Sequence, residues 1–210
     1  MRGVFITLEG VEGAGKTTQA QLLKARLDGL GYPVVVTREP GGARIAEAIR
    51  ALLLDSNNTD ISPMTELLLY EAARAQHVDE VIRPALESGA VVISDRFVDS
   101  TTAYQGAGRA IPSDVVQRLH RIATRGVWPD LTILLDVPIA EGLARAGRSG
   151  LRDRMERESD VFHERVRQEF LRLAAEEPER VKVVDGSRPP DVVSEDVFRR
   201  VEPVLPACGR

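Results

Sequence analysis

Eight consecutive residues, Gly10-Val11-Glu12-Gly13-Ala14-Gly15-Lys16-Thr17, restrict what this chain can fold into more than any other segment. They match the pattern of a phosphate-binding loop, which functions only where a strand runs into it and a helix leaves it. Both flanks are present. Val4 to Leu8 is a short apolar, β-rich run, and between Thr17 and Leu30 the leucines at 22, 23, 27 and 30 recur on one side of a helix. Glycines let the backbone wrap tightly and aim its amides at phosphate oxygens, and the helix N-terminus adds partial positive charge. In such a loop Lys16 reaches the β- and γ-phosphates of ATP, and Thr17 helps to hold Mg²⁺. Thr18 continues the same nucleotide-binding segment. The chain has only three lysines beside 25 arginines, so a lysine at this position weakens the reading as an incidental glycine turn.

The rest of the chain alternates strand and helix signals. Pro33 to Thr37, Ala90 to Ser94, Leu131 to Leu135 and Val181 to Val184 read as strands, apolar on both faces. Helical spacing covers 43–54, 63–86, 113–124, 139–146, 157–176 and 191–201, with Ser62 placed to cap the helix that opens at Pro63. No repeat or long linker interrupts the order. The pattern predicts an α/β protein of the P-loop NTPase fold: a central parallel sheet of about five strands with helices on both faces. One domain spanning 1–210 is expected. Ligands of such sheets sit beyond the C-terminal strand ends, where the polar motifs after Leu8, Thr37, Ser94 and Leu135 fall.

Composition removes other classes. Acidic residues outnumber basic ones by 32 to 28, a formal charge of −4, which argues against a nucleic-acid surface. The single cysteine, Cys208, allows no internal disulfide, and no Cys/His cluster suggests zinc. The first apolar stretch is too short for a signal peptide and no run approaches membrane-spanning length. A cytoplasmic protein without membrane partners is expected. A GTPase would carry an Asn-Lys-x-Asp segment, and the chain contains no Asn-Lys pair. A small-molecule kinase fits best, although a slow ATP-hydrolysing switch shares the loop.

A kinase needs an acceptor site. Asp95, at the end of the third strand, is positioned to order Mg²⁺ directly or through its water shell. Arg96 beside it has the planar fork that clamps a phosphate, although an Asp-Arg pair also reads as a strand-end cap. Tyr70 and Arg74, one turn apart on a helix, suit a planar base; such a pair alone is more often core and salt bridge. The polar stretch 99–106 lines a nucleoside pocket or forms a capped turn.

Taken together, Leu8-Glu9-Gly10 with the loop, Thr37-Arg38-Glu39-Pro40-Gly41-Gly42, Ala73-Arg74, Asp95-Arg96-Phe97 and Ser100-Thr101-Thr102-Ala103-Tyr104-Gln105-Gly106 occur in one order. With Trp128-Pro129-Asp130-Leu131 and Asp153-Arg154-Met155-Glu156, this order resembles that of bacterial thymidylate kinases over nearly the whole chain. The resemblance implies transfer from ATP to dTMP with Mg²⁺, giving dTDP on the route to dTTP. It implies that Glu9 serves the sugar 3′-hydroxyl region or the metal shell, that Tyr70 stacks on thymine and that Arg74 bonds the base edge. The family usually has Phe where this chain has Tyr70. Arg38 and Arg96 would bind the acceptor phosphate, while Ser100, Tyr104 and Gln105 shape the pocket. A homodimer is implied by the resemblance alone.

Five arginines, at 145, 148, 152, 154 and 157, crowd a segment that also holds Gly147 and Gly150. Two glycines suit a loop better than a helix face. Beside a phosphate-binding loop, this segment around 145–157 reads as a lid whose guanidinium groups offset the charge of the moving phosphoryl group. Some relatives place an arginine in the loop itself. Here the corresponding position is the acidic Glu12, so Arg148 and Arg154 become the catalytic candidates, Arg154 ahead. Phe162 faces either the sugar or the core.

Overall fold

The computed structural model describes residues 2–147 and 153–206. Five strands form one parallel sheet: β1 (Phe5–Glu9), β2 (Val34–Arg38), β3 (Val91–Asp95), β4 (Leu131–Asp136) and β5 (Val181–Asp185), in the order β2-β3-β1-β4-β5. β1 lies at the centre, pairing Leu8 with Asp95 of β3 and with Ile133 of β4. Its five residues, and all of β3 and β4 except the terminal aspartates, are buried. Such runs of Val, Ile and Leu are what a sheet covered on both faces requires.

Alternation along each strand divides the core. Ile6, Leu8, Ile93, Ile133 and Leu135 face Leu23 and Leu27 of α1 (Lys16–Gly29) and Val197 of α9 (Pro190–Val201). On the opposite face, Phe5 and Val92 meet Val78 and Ile82, while Leu134 meets Phe170 of α8 (Asp160–Glu176). The remaining helices are α2 (Arg44–Leu54), α3 (Pro63–His77), α4 (Arg83–Glu87), α5 (Val98–Thr101), α6 (Ser113–Thr124) and α7 (Ile139–Ala146). No helix among the described residues is long and apolar enough to cross a membrane.

Three elements depart from the sequence pattern. The helix expected over 63–86 is interrupted by a π-helical turn, Val78–Ile82, where Arg83 donates to the Val78 carbonyl five residues back. Pro84 explains it: a proline inside a helix lacks the donor for the next ladder bond and crowds the preceding turn. The stretch 99–106 is helical, α5 running into a second π-helical segment, Thr102–Gly108. Its polar side chains point inward to charged partners rather than out to solvent, so their polarity does not mark a turn. The helix expected from 157 begins at Asp160, because Ser159 caps it by accepting from the Phe162 amide.

Candidate active site

The loop after β1 is held in shape by close backbone approach. Gly10 has φ 140°, and a Cβ there would collide with the Leu135 carbonyl of β4. Gly13 has φ 69°, and its Cβ would collide with the Gly142 carbonyl of α7. Only glycine permits both contacts. α1 opens after Gly15 without a side-chain cap, so its first amides are left for a ligand. Lys16 is almost wholly buried and donates to the carbonyls of Gly10 (3.0 Å) and Val11 (2.9 Å). Burial and the nearby Arg96 push its pKa down to about 8, against the pull of Asp95, Glu12 and Glu9. Thr17 Oγ1 donates to Asp95 Oδ2 at 2.7 Å, joining the loop to the end of β3.

Two hollows flank this loop. A groove of about 760 Å³ runs along its outer side, past Gly15, Thr17 and Thr18, to Arg145 and to Ser187 and Pro190. A deeper cavity of about 280 Å³ opens on the other side, beyond the ends of β2 and β3. Gly13, Lys16, Thr17 and Glu156 line both. The cavity holds Arg38, Tyr70, Arg74, Asp95, Arg96, Ser100, Tyr104 and Gln105, all anticipated from the sequence and here brought together from β2, α3 and the segment after β3.

Arg96 is the organising group of the cavity wall. Its φ of 73° is rare for a residue with a side chain, a conformation kept where the surroundings over-determine it. Nη1 donates to the Gly10 carbonyl and Ser100 Oγ, both at 3.0 Å; Nη2 donates to Glu12 Oε1 and Tyr104 Oη, both at 3.2 Å. Tyr104 in turn donates to Glu12 Oε1 at 2.6 Å. Burial alone would raise the Glu12 pKa, but His163, Arg96, Lys16 and Tyr104 outweigh it and hold the carboxyl far below the ordinary range. Glu12 Oε2 lies 3.4 Å from His163 Nδ1, a close approach without hydrogen-bond alignment.

Glu9 is placed differently from the expectation. It does not line the cavity: it is fully buried, accepting from the Phe97 amide (2.8 Å), the Ser100 amide (3.3 Å) and Ser100 Oγ (2.6 Å). Its bonds fix the start of α5, and of the two glutamates at the loop it is Glu12, not Glu9, that lines the cavity. Arg154 also lies off the cavity, with Nε on the Leu53 carbonyl (2.8 Å) and Nη1 on Glu66 (2.5 Å). Arg148, the other lid candidate, lies outside the described residues. Arg38 is exposed and paired with Glu47 at 3.0 Å. Phe162 is buried beside Tyr104, ring centroids 6.2 Å apart, and belongs to the core.

Sequence reasoning missed Arg50 and Leu54, which line the cavity from α2. Arg50 donates to the Pro40 carbonyl at 2.8 Å. Nothing in the run from Arg44 to Leu54 distinguishes it from an ordinary amphipathic helix. It also missed Glu66, wholly buried, which accepts from Gln105 (2.8 Å), from two nitrogens of Arg109 (3.1 Å each) and from Arg154. Those partners are 39 to 88 residues away in sequence, so no local spacing reveals them.

For a divalent cation, Thr17 and Asp95 provide adjacent oxygens at the junction of the two hollows. Among the described residues no group of three or more His, Cys, Asp or Glu side chains is arranged around a metal position. That donor set fits Mg²⁺, which takes one or two protein oxygens and completes its shell with water and phosphate.

The chain is similar to known proteins over nearly its whole length. The model of the family described as thymidylate kinase matches residues 8–197. The chain is 56% identical over 191 residues to a thymidylate kinase of Geobacter sulfurreducens, covering 88% of this chain and 90% of the relative. It is 49% identical over 214 residues to one of Nitratidesulfovibrio vulgaris, covering 99% and 100%. The crystal structure of thymidylate kinase from Ehrlichia chaffeensis superposes with a TM-score of 0.79 at 34% identity, covering 96% of this chain and 99% of that one.

Proposed function

The chain belongs to the thymidylate kinase family and phosphorylates dTMP to dTDP at the expense of ATP, and from that premise we propose how its residues divide the work. ATP lies in the groove outside the loop and dTMP in the cavity inside it, so that the phosphoryl group crosses at Gly13, Lys16 and Thr17. The observation that carries this reading is the sharing of those residues by both hollows.

Lys16 leaves the carbonyls it now caps and turns to the β- and γ-phosphate oxygens, which replace carbonyl dipoles with full negative charge. The loop amides and the open start of α1 receive the phosphates. Thr17 and Asp95 hold Mg²⁺, partly through water; the ion neutralises charge between the phosphates when bound. Arg96, assisted by Arg38 and Arg50, binds the phosphate of dTMP. That dianion competes for the guanidinium with Glu12, and released Glu12 is then free to meet the sugar. Tyr70 stacks on the base, Arg74 bonds its edge, and Ser100, Tyr104 and Gln105 close the walls. Glu9 acts one layer back, by holding Phe97 and Ser100.

No strong general base is required, because the attacking atom is already a phosphate oxygen; positioning and charge supply the rate. The lid around 145–157 contributes Arg148 or Arg154 to the transferring group. For Arg154 this requires exchange of Glu66 for phosphate. Two copies of the chain associate through a face that includes Met64 and Leu68, exposed apolar side chains one turn apart on α3. A lone cysteine in the sequence accords with a reducing cytoplasm.

Arg96→Lys tests the division of roles. Lysine keeps the charge but loses the fork that reaches Gly10, Ser100, Glu12 and Tyr104 together. Initial rates are expected to show KM for dTMP raised about 10- to 100-fold, equivalent to about 1.4–2.7 kcal/mol, with KM for ATP little changed. Equal loss in both KM values would contradict the assignment of the inner cavity to dTMP.

A further inference from the structure

Arg74 sits at the midpoint of a buried polar chain that runs across β2 and the loop after it, α3, α6 and the π-helical segment Thr102–Gly108. From one end, Thr37 Oγ1 of β2 meets His77 Nε2 at 2.6 Å, and His77 Nδ1 meets Glu39 Oε1 at 2.9 Å. Glu39 Oε2 accepts from Arg74 Nε at 2.8 Å, and Arg74 Nη1 donates to Glu71 Oε1 at 2.5 Å. The same Glu71 oxygen meets His120 Nδ1 of α6 at 2.8 Å, and His120 Nε2 meets Thr102 Oγ1 at 3.1 Å. His77 and His120 are 0% exposed, Arg74 2%, Glu39 and Glu71 5%. The order is therefore Thr–His–Glu–Arg–Glu–His–Thr, with a carboxylate on each side of the guanidinium and a histidine behind each carboxylate.

The chemistry of this arrangement is specific. A carboxylate only accepts, so each histidine offers it an Nδ1–H. His77 takes the Glu39 oxygen that Arg74 leaves free, whereas His120 shares Glu71 Oε1 with Arg74 and Glu71 Oε2 has no hydrogen-bond partner among the described residues. Arg74 Nη2 also donates to the Phe97 carbonyl (3.1 Å) and to Thr101 Oγ1 (2.9 Å). A guanidinium has five N–H groups, and among the described residues four of them are engaged, two by the flanking carboxylates. The remaining Nη1–H belongs to a side chain that lines the cavity. Burial opposes the Arg74 charge, but Glu39 and Glu71 outweigh it and hold the group firmly protonated. Gly42 belongs to the same device: a Cβ there would lie 2.5 Å from the His77 ring and 2.6 Å from Thr37 Oγ1.

We propose that His77 and His120, neither of which lines the cavity, are positioning residues that clamp the two carboxylates flanking Arg74 and so set the affinity of the cavity for dTMP. Inside a low-dielectric core the bonds of such a network favour one geometry, and the network loosens when a member is removed. Loss of His120 leaves Glu71 with one partner fewer, the carboxylate turns, and the single free N–H of Arg74 loses its aim. The inference rests on the reading that Arg74 contacts the acceptor base.

The test measures KM for dTMP, KM for ATP and kcat on the full-length protein and four variants: Arg74→Gln, His120→Leu, His120→Asn and Thr102→Val. His120→Leu is expected to raise KM for dTMP about tenfold, the loss of about one aimed charge-assisted bond. KM for ATP and kcat should stay within about twofold. His120→Asn, whose amide nitrogen stands near the place of Nδ1, should bring KM for dTMP back to within about threefold of the parent. A histidine that serves only packing would lower kcat through a smaller folded fraction, leave KM for dTMP unmoved and gain nothing from asparagine; that result overturns the proposal. If His120→Leu does not fold, Thr102→Val carries the same test, since it is isosteric and removes the outer bond to His120 along with one local bond from Thr102 Oγ1 to the Val98 carbonyl: a rise of about two- to threefold supports the clamp and none refutes it. Arg74→Gln separates the two levels. If it leaves KM for dTMP unchanged, the reading of Arg74 fails; if it raises KM while the His120 and Thr102 variants do not, only the clamp fails.

Discussion

Placing a carboxyl group at the end of the central strand is unfavourable unless its charge is compensated or withheld, and Glu9 illustrates the second course. Burial first, and the neighbouring Asp99 second, raise its pKa from 4.5 to about 7, against the pull of Arg96 and the bonds from Ser100 and Phe97. The folded protein therefore keeps a proton that the unfolded chain releases above about 4.5. Stability from this group is fully present below that pH, falls as pH rises towards about 7, and is flat beyond. A shift of this size corresponds to on the order of 3 kcal/mol. Glu9→Gln removes the dependence. Urea unfolding of both proteins at several pH values should show the parent losing stability relative to the variant across that window. A constant difference would mean that Glu9 is ionised throughout. Glu12, held low by Arg96 and His163, acts in the opposite sense at lower pH and cancels in the comparison.

At the scale of elements, the phosphate loop depends on α7 as much as on its own glycines. A Cβ on Gly142 would lie 2.5 Å from the Glu12 carbonyl, which is backbone and cannot swing aside. By helix propensity alone, Gly142→Ala would stabilise α7 by up to about 1 kcal/mol. Overpacking against a rigid neighbour costs about 1–3 kcal/mol and should win. A thermal melt is expected to show a lower Tm, with KM for ATP raised because the loop is displaced; a higher Tm would show that α7 and the loop are not in rigid contact. This scale also shows what the sequence revealed. The strands, the loop and its helix were legible because each is local: apolar runs of strand length, glycines at fixed spacing, leucines at helical period. The π-helical turn at Val78–Ile82 was not, since Pro84 signals a disturbance without saying whether the helix ends or bulges. The helix over Val98–Gly108 was hidden for another reason. Its polar residues look solvent-facing until Arg180 on Asp99 (2.7 Å), Glu66 on Gln105 and His120 on Thr102 come into place from distant sequence. The site followed the same rule: Lys16, Asp95 and Arg96 were evident from motif, whereas Glu9 behind the wall, Arg154 on Glu66 and Arg50 on α2 are assignments that only the assembled fold makes.

On the scale of the whole molecule, strand order places the nucleotide loop at the sheet centre, with β3 on one side bringing Asp95 and Arg96 and β4 on the other bringing α7. The inner cavity then falls between α2, α3 and the helical segment after β3, and the outer groove between the loop and α9. Association of two copies through the α3 face predicts a sedimentation coefficient of a dimer for the parent and of a monomer for Leu68→Glu; a monomeric parent at working concentration would remove that claim. The central claim, that the chain passes phosphate from ATP to an acceptor cavity fitted to dTMP, is tested most directly by ADP release with ATP and Mg²⁺ when dTMP, dUMP, UMP, CMP, AMP and GMP are offered in turn. The account predicts strong turnover with dTMP, weaker turnover with dUMP and little with the others. Preference for another monophosphate, or ADP release that needs no acceptor, would contradict it.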